Sequence, residues 1–357
     1  MHGGGLGLRF RKHRLAGAEQ AYSISAMSLL GQRQIVAAPE GPGPTLAIDP
    51  KTRQPATLAD GPGGCMGFAP YPGRDDVLFL ISGFFPIFDA EGAGIDLLAW
   101  AAGPEARWSE QRIIDLPFVH RICTISDDQH RWLVAATICG GKSSRDDWSR
   151  PGTVYVVPIP DDPTAPWELR PVLEGIHRNH GMTVGTYRSG RCVYISGDEG
   201  VFALLPPGRN ASAWRVEHVM DRPVSEVCPI DIDDDGMDEL AVIEPFHGAT
   251  MTVYKQVDGA WDARYSAELS FGHGLWAGRF GREPVIVAAS RDDHRDLVCY
   301  RIDPAGRDRL AAVVIDEGSG TAKVDVMDIE GRTVVVSANS NHAEYALYEV
   351  EWNSDHE

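Results

Sequence analysis

The sequence lacks long apolar runs and a basic overall charge, and each absence excludes a class of protein. No stretch of its 357 residues is apolar enough to predict a membrane span. The formal net charge of −18 argues against a nucleic-acid partner, because binding to phosphates needs a basic face. The basic N-terminal segment has no apolar core of the kind that signal peptides carry, so we expect a cytoplasmic protein.

Paired cysteines and helical periodicity are also missing. The six cysteines are scattered, no Cys-x-x-Cys pair occurs, and Cys123, Cys228 and Cys299 fall inside predicted strands. This favours reduced core residues over a disulfide framework or a zinc knuckle. The 38 glycines and 24 prolines supply many turns, so the sequence predicts an all-β fold.

One stretch, residues 225–255, shows the organisation of the whole chain. Apolar and β-branched residues form three short runs, at residues 226–230, 240–243 and 250–255. Turn-forming residues separate these runs, which is typical of an antiparallel meander. The stretch therefore reads as three strands of one propeller blade.

The same unit can be placed seven times along the sequence. Its copies begin near residues 25, 65, 120, 180, 225, 273 and 323. Spacings of about 40 to 60 residues are typical of propeller blades, which pack as a ring of sheets around a central channel. We predict a seven-bladed β-propeller that occupies residues 1–357 as a single domain.

The ends of the chain indicate how the ring closes. Blades two to six each continue into a fourth short strand, but the seventh has no such strand before residue 357. Residues 7–15 precede the first blade without another role. We therefore expect this N-terminal segment to supply the outer strand of the last blade and to cover its open edge.

Four consecutive blades each carry a histidine at an equivalent place. His120, His180 and His273 open the inner strands of blades three, four and six, and His247 lies in a turn of blade five that reaches the same rim. A single histidine here would be structural, but four in matching positions favour a site at the channel mouth. Neutral imidazole is a common ligand of zinc and similar metals. We predict that these four surround one divalent metal such as zinc or manganese, with three as ligands and one available for proton transfer.

An acidic loop on the opposite face carries a second signal. Its oxygen ligands at alternate positions, with a glycine at the turn, are typical of calcium binding: Asp231, Asp233, Asp235 and Glu239. The loop resembles the FG-GAP or VCBS propeller repeat, whose Asp-x-Asp-x-Asp-Gly loops bind calcium. We expect a structural role for it. A solvated acidic turn without an ion is the alternative.

The histidine segments resemble a narrower family, the aldos-2-ulose dehydratases, also called anhydrofructose dehydratases. The resemblance is carried by Phe246-His247-Gly248 with Thr250, Val253 and Tyr254, by His120-Arg121, and by the strand openings at His180 and His273. It spans roughly half of the chain and implies a metal-dependent lyase that removes water from a keto-sugar. The additional C-terminal portion of that family, including a cupin-like domain, is not present in this sequence.

The implied chemistry would use several side chains at the rim. A metal can polarise a carbonyl, and an imidazole can move the proton next to it. Arg121, Lys142 and Lys323 are candidates to neutralise enolate charge, and four aromatic side chains are candidates to stack on a sugar: Phe84, Phe85, Trp148 and Trp276. Two alternatives remain open at this point, another carbohydrate lyase or hydrolase and a non-catalytic FG-GAP-like binding propeller. If the protein is a keto-sugar lyase, the expected partner is a small sugar substrate. The sequence does not predict the oligomeric state.

Overall fold

The protein forms a ring of seven four-stranded antiparallel sheets, a seven-bladed β-propeller, which confirms the predicted fold class. The computed structural model describes residues 7–86, 89–127, 129–208, 213–304, 306 and 309–352. Within these ranges the chain forms 28 strands and no helix. Accordingly, no helix among the described residues has the length and apolarity needed to cross a membrane.

Six blades follow the order of the chain, from the inner to the outer strand. Blade one contains β2 (Ala21–Leu29), β3 (Gln32–Pro39), β4 (Thr45–Ile48) and β5 (Pro55–Ala59). Blade two contains β6 (Phe68–Pro70), β7 (Val77–Ser82), β8 (Gly94–Ala101) and β9 (Arg107–Asp115). Blade three contains β10 (Val119–Ser126), β11 (Arg131–Thr137), β12 (Gly152–Pro158) and β13 (Arg170–Ile176). Blade four contains β14 (Gly181–Tyr187), β15 (Gly190–Gly197), β16 (Gly200–Leu205) and β17 (Arg215–Met220). Blade five contains β18 (Glu226–Ile230), β19 (Glu239–Glu244), β20 (Thr250–Val257) and β21 (Ala260–Glu268). Blade six contains β22 (Gly272–Phe280), β23 (Glu283–Ser290), β24 (Leu297–Ile302) and β25 (Leu310–Asp316).

The seventh blade joins the two ends of the chain. Its strands are β26 (Thr321–Ile329), β27 (Arg332–Asn339), β28 (Glu344–Trp352) and, at the outer edge, β1 (Leu8–Gly17). Strand β1 pairs with β28 in antiparallel register, from Leu8 opposite Trp352 to Gly17 opposite Glu344. This confirms the predicted closure by an N-terminal strand.

Charged side chains support the same closure. The ammonium of Lys12 on β1 lies 2.7 Å from a carboxylate oxygen of Asp316 and 2.7 Å from one of Glu344. The side chains of Leu8 and Leu15 are buried against the neighbouring sheets. Strand β1 therefore acts as a latch, the segment that closes the ring, through backbone pairing, two buried leucines and an ion cluster.

The core lies between adjacent sheets, and the second strand of each blade carries most of it. In β7 every residue is buried, and in β3 the side chains from Ile35 to Ala38 have no exposed surface. A strand that packs against neighbouring blades on both faces needs a continuous apolar run instead of alternation. These runs are what made the blades recognisable in the sequence.

Small irregularities in the inner strands aim side chains at the channel mouth. In four blades the pairing register between the inner and the second strand shifts near the start of the inner strand. The shifts lie at Tyr22, His120, Ala322 and the pair His273-Gly274. A β-bulge inserts an extra residue into one strand and redirects its side chain. The bulges therefore place equivalent residues of different blades at one rim of the ring.

Candidate functional site

The structure brings the four predicted histidines to one place at the channel mouth. His120 and His273 lie in bulges near the start of β10 and β22, and His180 directly precedes β14. His247 lies in the turn between β19 and β20 and reaches the same rim. The rings of His120, His247 and His273 have their centroids 4.8, 4.9 and 5.0 Å from that of His180.

Three of the four form a tighter group. The side chains of His180, His247 and His273 each offer a ring nitrogen, and these nitrogens lie within 4.8 Å of one another. The Nε2 atoms of His180 and His247 are 3.4 Å apart. His120 is not a member of this group. Its Nε2 lies 3.3 Å from the hydroxyl of Tyr22 instead.

Hydrogen bonds behind the group direct its free nitrogens toward one another. Nδ1 of His273 lies 2.7 Å from the carbonyl oxygen of Ala322, and Nδ1 of His180 lies 2.7 Å from a carboxylate oxygen of Glu226. Each of these acceptors needs an N–H, so both rings carry their hydrogen on Nδ1. Their Nε2 lone pairs are left to face the group.

The surroundings favour the neutral form of all four rings. Burial lowers the pKa of His120 and His273 well below the ordinary value of 6.5. Burial lowers the pKa of His247 to about 2, and burial and Arg121 lower the pKa of His180 although Glu226 opposes this. Neutral imidazole is the form that binds metals, so the group is in its ligand form.

Arg121 packs against the ring faces of two imidazoles instead of hydrogen bonding in their planes. Its Nη1 is 3.0 Å from Nδ1 and 3.4 Å from Nε2 of His120, and its Nη2 is nearly equidistant from both nitrogens of His180. A donor in the plane of a ring could not approach both nitrogens so closely, so the guanidinium stacks on the ring faces. The ring nitrogens therefore remain available.

Glu226 balances the charge of Arg121 inside the channel. Nη2 of Arg121 donates to a carboxylate oxygen of Glu226 at 2.8 Å, and both side chains are largely buried. Burial alone would raise the pKa of the Glu226 carboxyl, but Arg121 and His180 outweigh it and lower the pKa to about 2. Glu226 thus stays ionised, holds Arg121 in place and orients His180.

We expect Glu226→Gln to weaken metal binding and to destabilise the fold. The substitution leaves Arg121 buried without a counter-charge and weakens the orientation of His180. Loss of such a supporting partner typically lowers metal affinity about 10- to 100-fold. Metal titration and thermal unfolding measure the two effects. Glu330→Gln, which alters an exposed pair with Lys51, is the matched control, and equal behaviour of both variants would contradict the role of Glu226.

Sequence reasoning did not identify Tyr22 or Glu226 as site residues. The hydroxyl of Tyr22 lies between Nε2 of His120 at 3.3 Å and Nε2 of His273 at 3.4 Å. Tyr22 occupies in blade one the bulge position that His120 occupies in blade three. Aligning the starts of the inner strands of all seven blades would have revealed Tyr22. For Glu226, the sequence signal was a charged residue at the start of an apolar inner strand.

A cavity of about 560 Å³ opens above the histidines. It is lined by all four imidazoles together with Tyr22, Glu40, Met66, Phe84, Phe118, Ile138, Lys142, Arg145, Asp146, Trp148, Phe246, Phe271, Arg291 and Asp292. The ammonium of Lys142 lies 3.2 Å from the centre of the Trp148 ring and donates to the carbonyl oxygen of Arg145 at 2.7 Å. Lys142 therefore lines this cavity together with Trp148, whereas Arg121, on the far side of the imidazoles, does not.

The other predicted site residues are divided between this cavity, a second cavity and positions outside both. Lys323 and Trp276 line a smaller cavity of about 240 Å³ deeper in the channel, which they share with Arg121, Glu226 and His273. Phe84 lines the upper cavity, with its ring centroid 5.4 Å from that of His120. Phe85 is not among the residues that line either cavity.

The three-imidazole group fits a divalent metal. Two imidazole nitrogens on one tetrahedral zinc lie about 3.4 Å apart, because each Zn–N bond measures about 2.1 Å. The Nε2 atoms of His180 and His247 have this separation. Facing lone pairs are unfavourable unless a donor, a cation or water lies between them. The Tyr22 hydroxyl is such a donor for Nε2 of His273, while the spacing of the His180–His247 pair suits two ligands of one metal. The three imidazoles are therefore candidate ligands of one divalent metal.

The acidic loop is arranged differently. Asp231, Asp233 and Glu239 offer oxygens within 4.8 Å of one another, but the ammonium of Lys255 lies among the carboxylates. Its Nζ is 2.6 Å from Asp233, 2.6 Å from Asp235 and 3.0 Å from Glu239. Burial lowers the pKa of Lys255, but the three carboxylates outweigh it and raise the pKa above its ordinary value. While Lys255 occupies this position, the loop does not fit a bound calcium ion.

We expect calcium to bind the loop only after Lys255 is removed. In Lys255→Met the carboxylates repel one another, so the variant should unfold at a lower temperature in chelator. Calcium should restore about 2.7 kcal/mol at a free concentration of about 100 times its dissociation constant. The wild type should show no shift with calcium or chelator. Lys51→Met, at an exposed ion pair, is the matched control. A wild-type protein that calcium stabilises would show that the ion displaces Lys255.

Comparison with known proteins supports the β-propeller fold but assigns the chain to no family. No family model matches the chain, and no curated protein matches it. In particular, the resemblance to the aldos-2-ulose dehydratases is not supported by these comparisons. The site must therefore be interpreted from its own geometry.

Solved structures do match over nearly the whole chain. A protein named as a gluconolactonase aligns with a TM-score of 0.50 at 13% identity, covering 96% of this chain and 92% of its own. The soluble aldose sugar dehydrogenase from Escherichia coli, in its apo form, aligns with a TM-score of 0.46 at 12% identity, covering 96% of this chain and 99% of its own. Both names refer to enzymes of sugar chemistry. At 13% identity the likeness to the first of these structures shows a shared fold, and no more.

Proposed function

We propose that this protein is a metal-dependent lyase that removes water from a keto-sugar such as anhydrofructose or a keto-glycoside. The observation that carries the proposal is the group of three neutral imidazoles, His180, His247 and His273, whose nitrogens lie within 4.8 Å of one another beneath a cavity. A cation at its centre would satisfy the facing nitrogens, and His120 and Tyr22 lie directly beside the group.

His180, His247 and His273 would hold the metal, and Glu226 and the carbonyl of Ala322 would keep two of these rings in orientation. A divalent metal there supplies Lewis-acid polarisation of a carbonyl. The ion could be zinc, manganese or a similar metal.

His120 and Tyr22 are positioned to move protons. Elimination of water takes a proton from the carbon next to the carbonyl, forms a carbon–carbon double bond and releases the β-hydroxyl, which leaves as water after gaining a proton. His120 is neutral and can accept a proton at Nε2. Burial raises the pKa of Tyr22, so its hydroxyl stays protonated and can donate to the departing oxygen. The 3.3 Å between the two atoms lets a proton pass between them.

Arg121 supplies positive charge at the floor of the site. Its guanidinium lies over the faces of His120 and His180 and is fixed by Glu226. In a site shielded from water, a fixed charge next to a developing enolate stabilises it more than water would. This placement supports the electrostatic role that the sequence suggested for Arg121. Lys142 lines the cavity, and we propose that it contacts the sugar.

Metal analysis and one assay test the proposal together. We expect the purified protein to contain about one transition metal per chain, and to form an enone with ultraviolet absorbance from anhydrofructose or a keto-glycoside. Chelation should abolish the absorbance change, and added metal should restore it. A metal-free protein that does not bind zinc or manganese on titration would exclude the proposal. So would a metal-loaded protein that forms no enone from any keto-sugar.

A further inference from the structure

The cavity has an aromatic wall that the proposed reaction does not use. We define this wall as Trp148, Phe246 and Phe271. The ring of Phe246 stacks on His247 with centroids 3.9 Å apart, and the ring of Phe271 lies tilted by 30° against the same imidazole at 4.3 Å. Trp148 meets Phe246 edge-on at 5.4 Å. The wall therefore begins at one imidazole of the three-histidine group and extends along the cavity.

Phe271 is exposed in spite of its size. Its surface is 41% exposed, which makes it one of few large apolar residues at the surface of the described part of the chain. Its backbone has φ = +52°, a left-handed conformation that is unfavourable for a bulky residue. Strained residues of this kind concentrate at functional sites, where other interactions hold them in place. An aromatic face kept exposed at the mouth is suited to stacking with a flat ligand.

Much of the cavity above the imidazoles is also apolar. Met66, Phe84, Phe118 and Ile138 line it, and all four are buried. The remaining charged groups that line it are Glu40, Lys142, Arg145, Asp146, Arg291 and Asp292. A site for a bare sugar needs hydrogen-bonding partners for several hydroxyls, whereas an apolar lining favours a ligand with an apolar part. The cavity therefore fits a molecule with one polar and one flat apolar end.

We propose that the aromatic wall binds the aglycone of the substrate, and that the substrates are keto-glycosides with a flat aryl group. This inference rests on the proposed function, because the sugar ring must lie at the three-histidine group for the aglycone to reach the wall. The volume of about 560 Å³ lies within the usual range of about 300–1,000 Å³ for ligand pockets. Stacking on aromatic residues then provides selectivity for the aryl group.

The experiment compares p-nitrophenyl and methyl keto-glucosides. We expect kcat/KM for the aryl substrate to exceed that for the methyl substrate about tenfold in the wild type. Phe271→Ala and Trp148→Ala should each reduce this ratio toward one, and Phe271→Tyr should retain it. Because the readout is a ratio, any general loss of activity from a disturbed His247 cancels. Trp352→Ala, at an exposed tryptophan that does not line this cavity, is the matched control.

A binding measurement separates this inference from the proposed function. Unoxidised p-nitrophenyl glucoside has no keto group and cannot undergo the elimination, so the difference between its binding and that of methyl glucoside, measured by calorimetry, reports the aryl group without catalysis. Tighter binding of it than of methyl glucoside, weakened by Phe271→Ala, would support the subsite even if no enone forms. Equal binding of both glucosides, or equal kcat/KM for both keto-glucosides, would overturn it and leave the lyase proposal standing.

Discussion

Replacing His180, His247 or His273 by alanine is expected to remove the metal and the activity together. Each ring supplies one of three nitrogens within 4.8 Å of one another, and two remaining imidazoles hold a metal poorly. His120→Ala should behave differently, since His120 lies outside this group next to Tyr22. We expect it to keep the metal and to lose about 10² to 10⁴ in rate, the usual contribution of a general acid or base.

Metal content by elemental analysis and enone formation by ultraviolet absorbance give the two readouts. Tyr22→Phe is the companion variant, because it removes the hydroxyl next to His120 and leaves the ring in place. If all four alanine variants retain full metal, the imidazoles are structural and the lyase proposal fails. If His120→Ala loses its metal as the others do, then His120 is a ligand and the division of roles is wrong.

Removal of residues 1–15 is expected to destabilise the whole ring. Most of β1 would be lost. This exposes the paired edge of β28, removes two buried leucines and deletes Lys12, the ion-pair partner of Asp316 and Glu344. Burial of each leucine contributes about 1.5–3 kcal/mol, and total stabilities are about 5–15 kcal/mol. We therefore expect a large fall in the thermal midpoint and a tendency to aggregate through the open edge.

Thermal unfolding and size-exclusion chromatography measure these effects. A chain shortened only by residues 1–6 keeps all of β1 and is the control. Lys12→Met tests the ion cluster separately, and we expect a smaller loss than that of the deletion. An unchanged midpoint in the chain that lacks residues 1–15 would contradict the role of β1 as a latch.

The acidic loop shows what a local motif leaves undecided. The spacing of Asp231, Asp233 and Asp235 is typical of calcium ligands, and nothing within the loop distinguishes it from an ion site. The distinguishing residue is Lys255, which lies on β20 and reaches the loop from across the blade. Whether a carboxylate cluster holds a metal or an ammonium depends on such a neighbour, and the loop pattern carries no information about it.

The three-histidine group was predictable in part. Counting blades placed His120, His180, His247 and His273 at one rim, because equivalent positions of a ring of repeats face the same way. Blade position could not separate His120 from the other three. The bulges and the hydrogen bonds of Glu226 and Ala322 decide which nitrogens converge, and these depend on atomic positions in different blades.

The sequence by itself determined the ring of blades, because apolar runs, turns and their spacing are local patterns that each blade repeats. It also determined the closure, since the last blade lacked a strand that residues 7–15 could supply. Only the tertiary structure decided the site. Tyr22 meets His120 across 98 positions of sequence and His273 across 251. Local patterns determine which strands form, but the chemistry at the mouth depends on contacts between blades that are distant in the chain, and these exist only once the ring is closed.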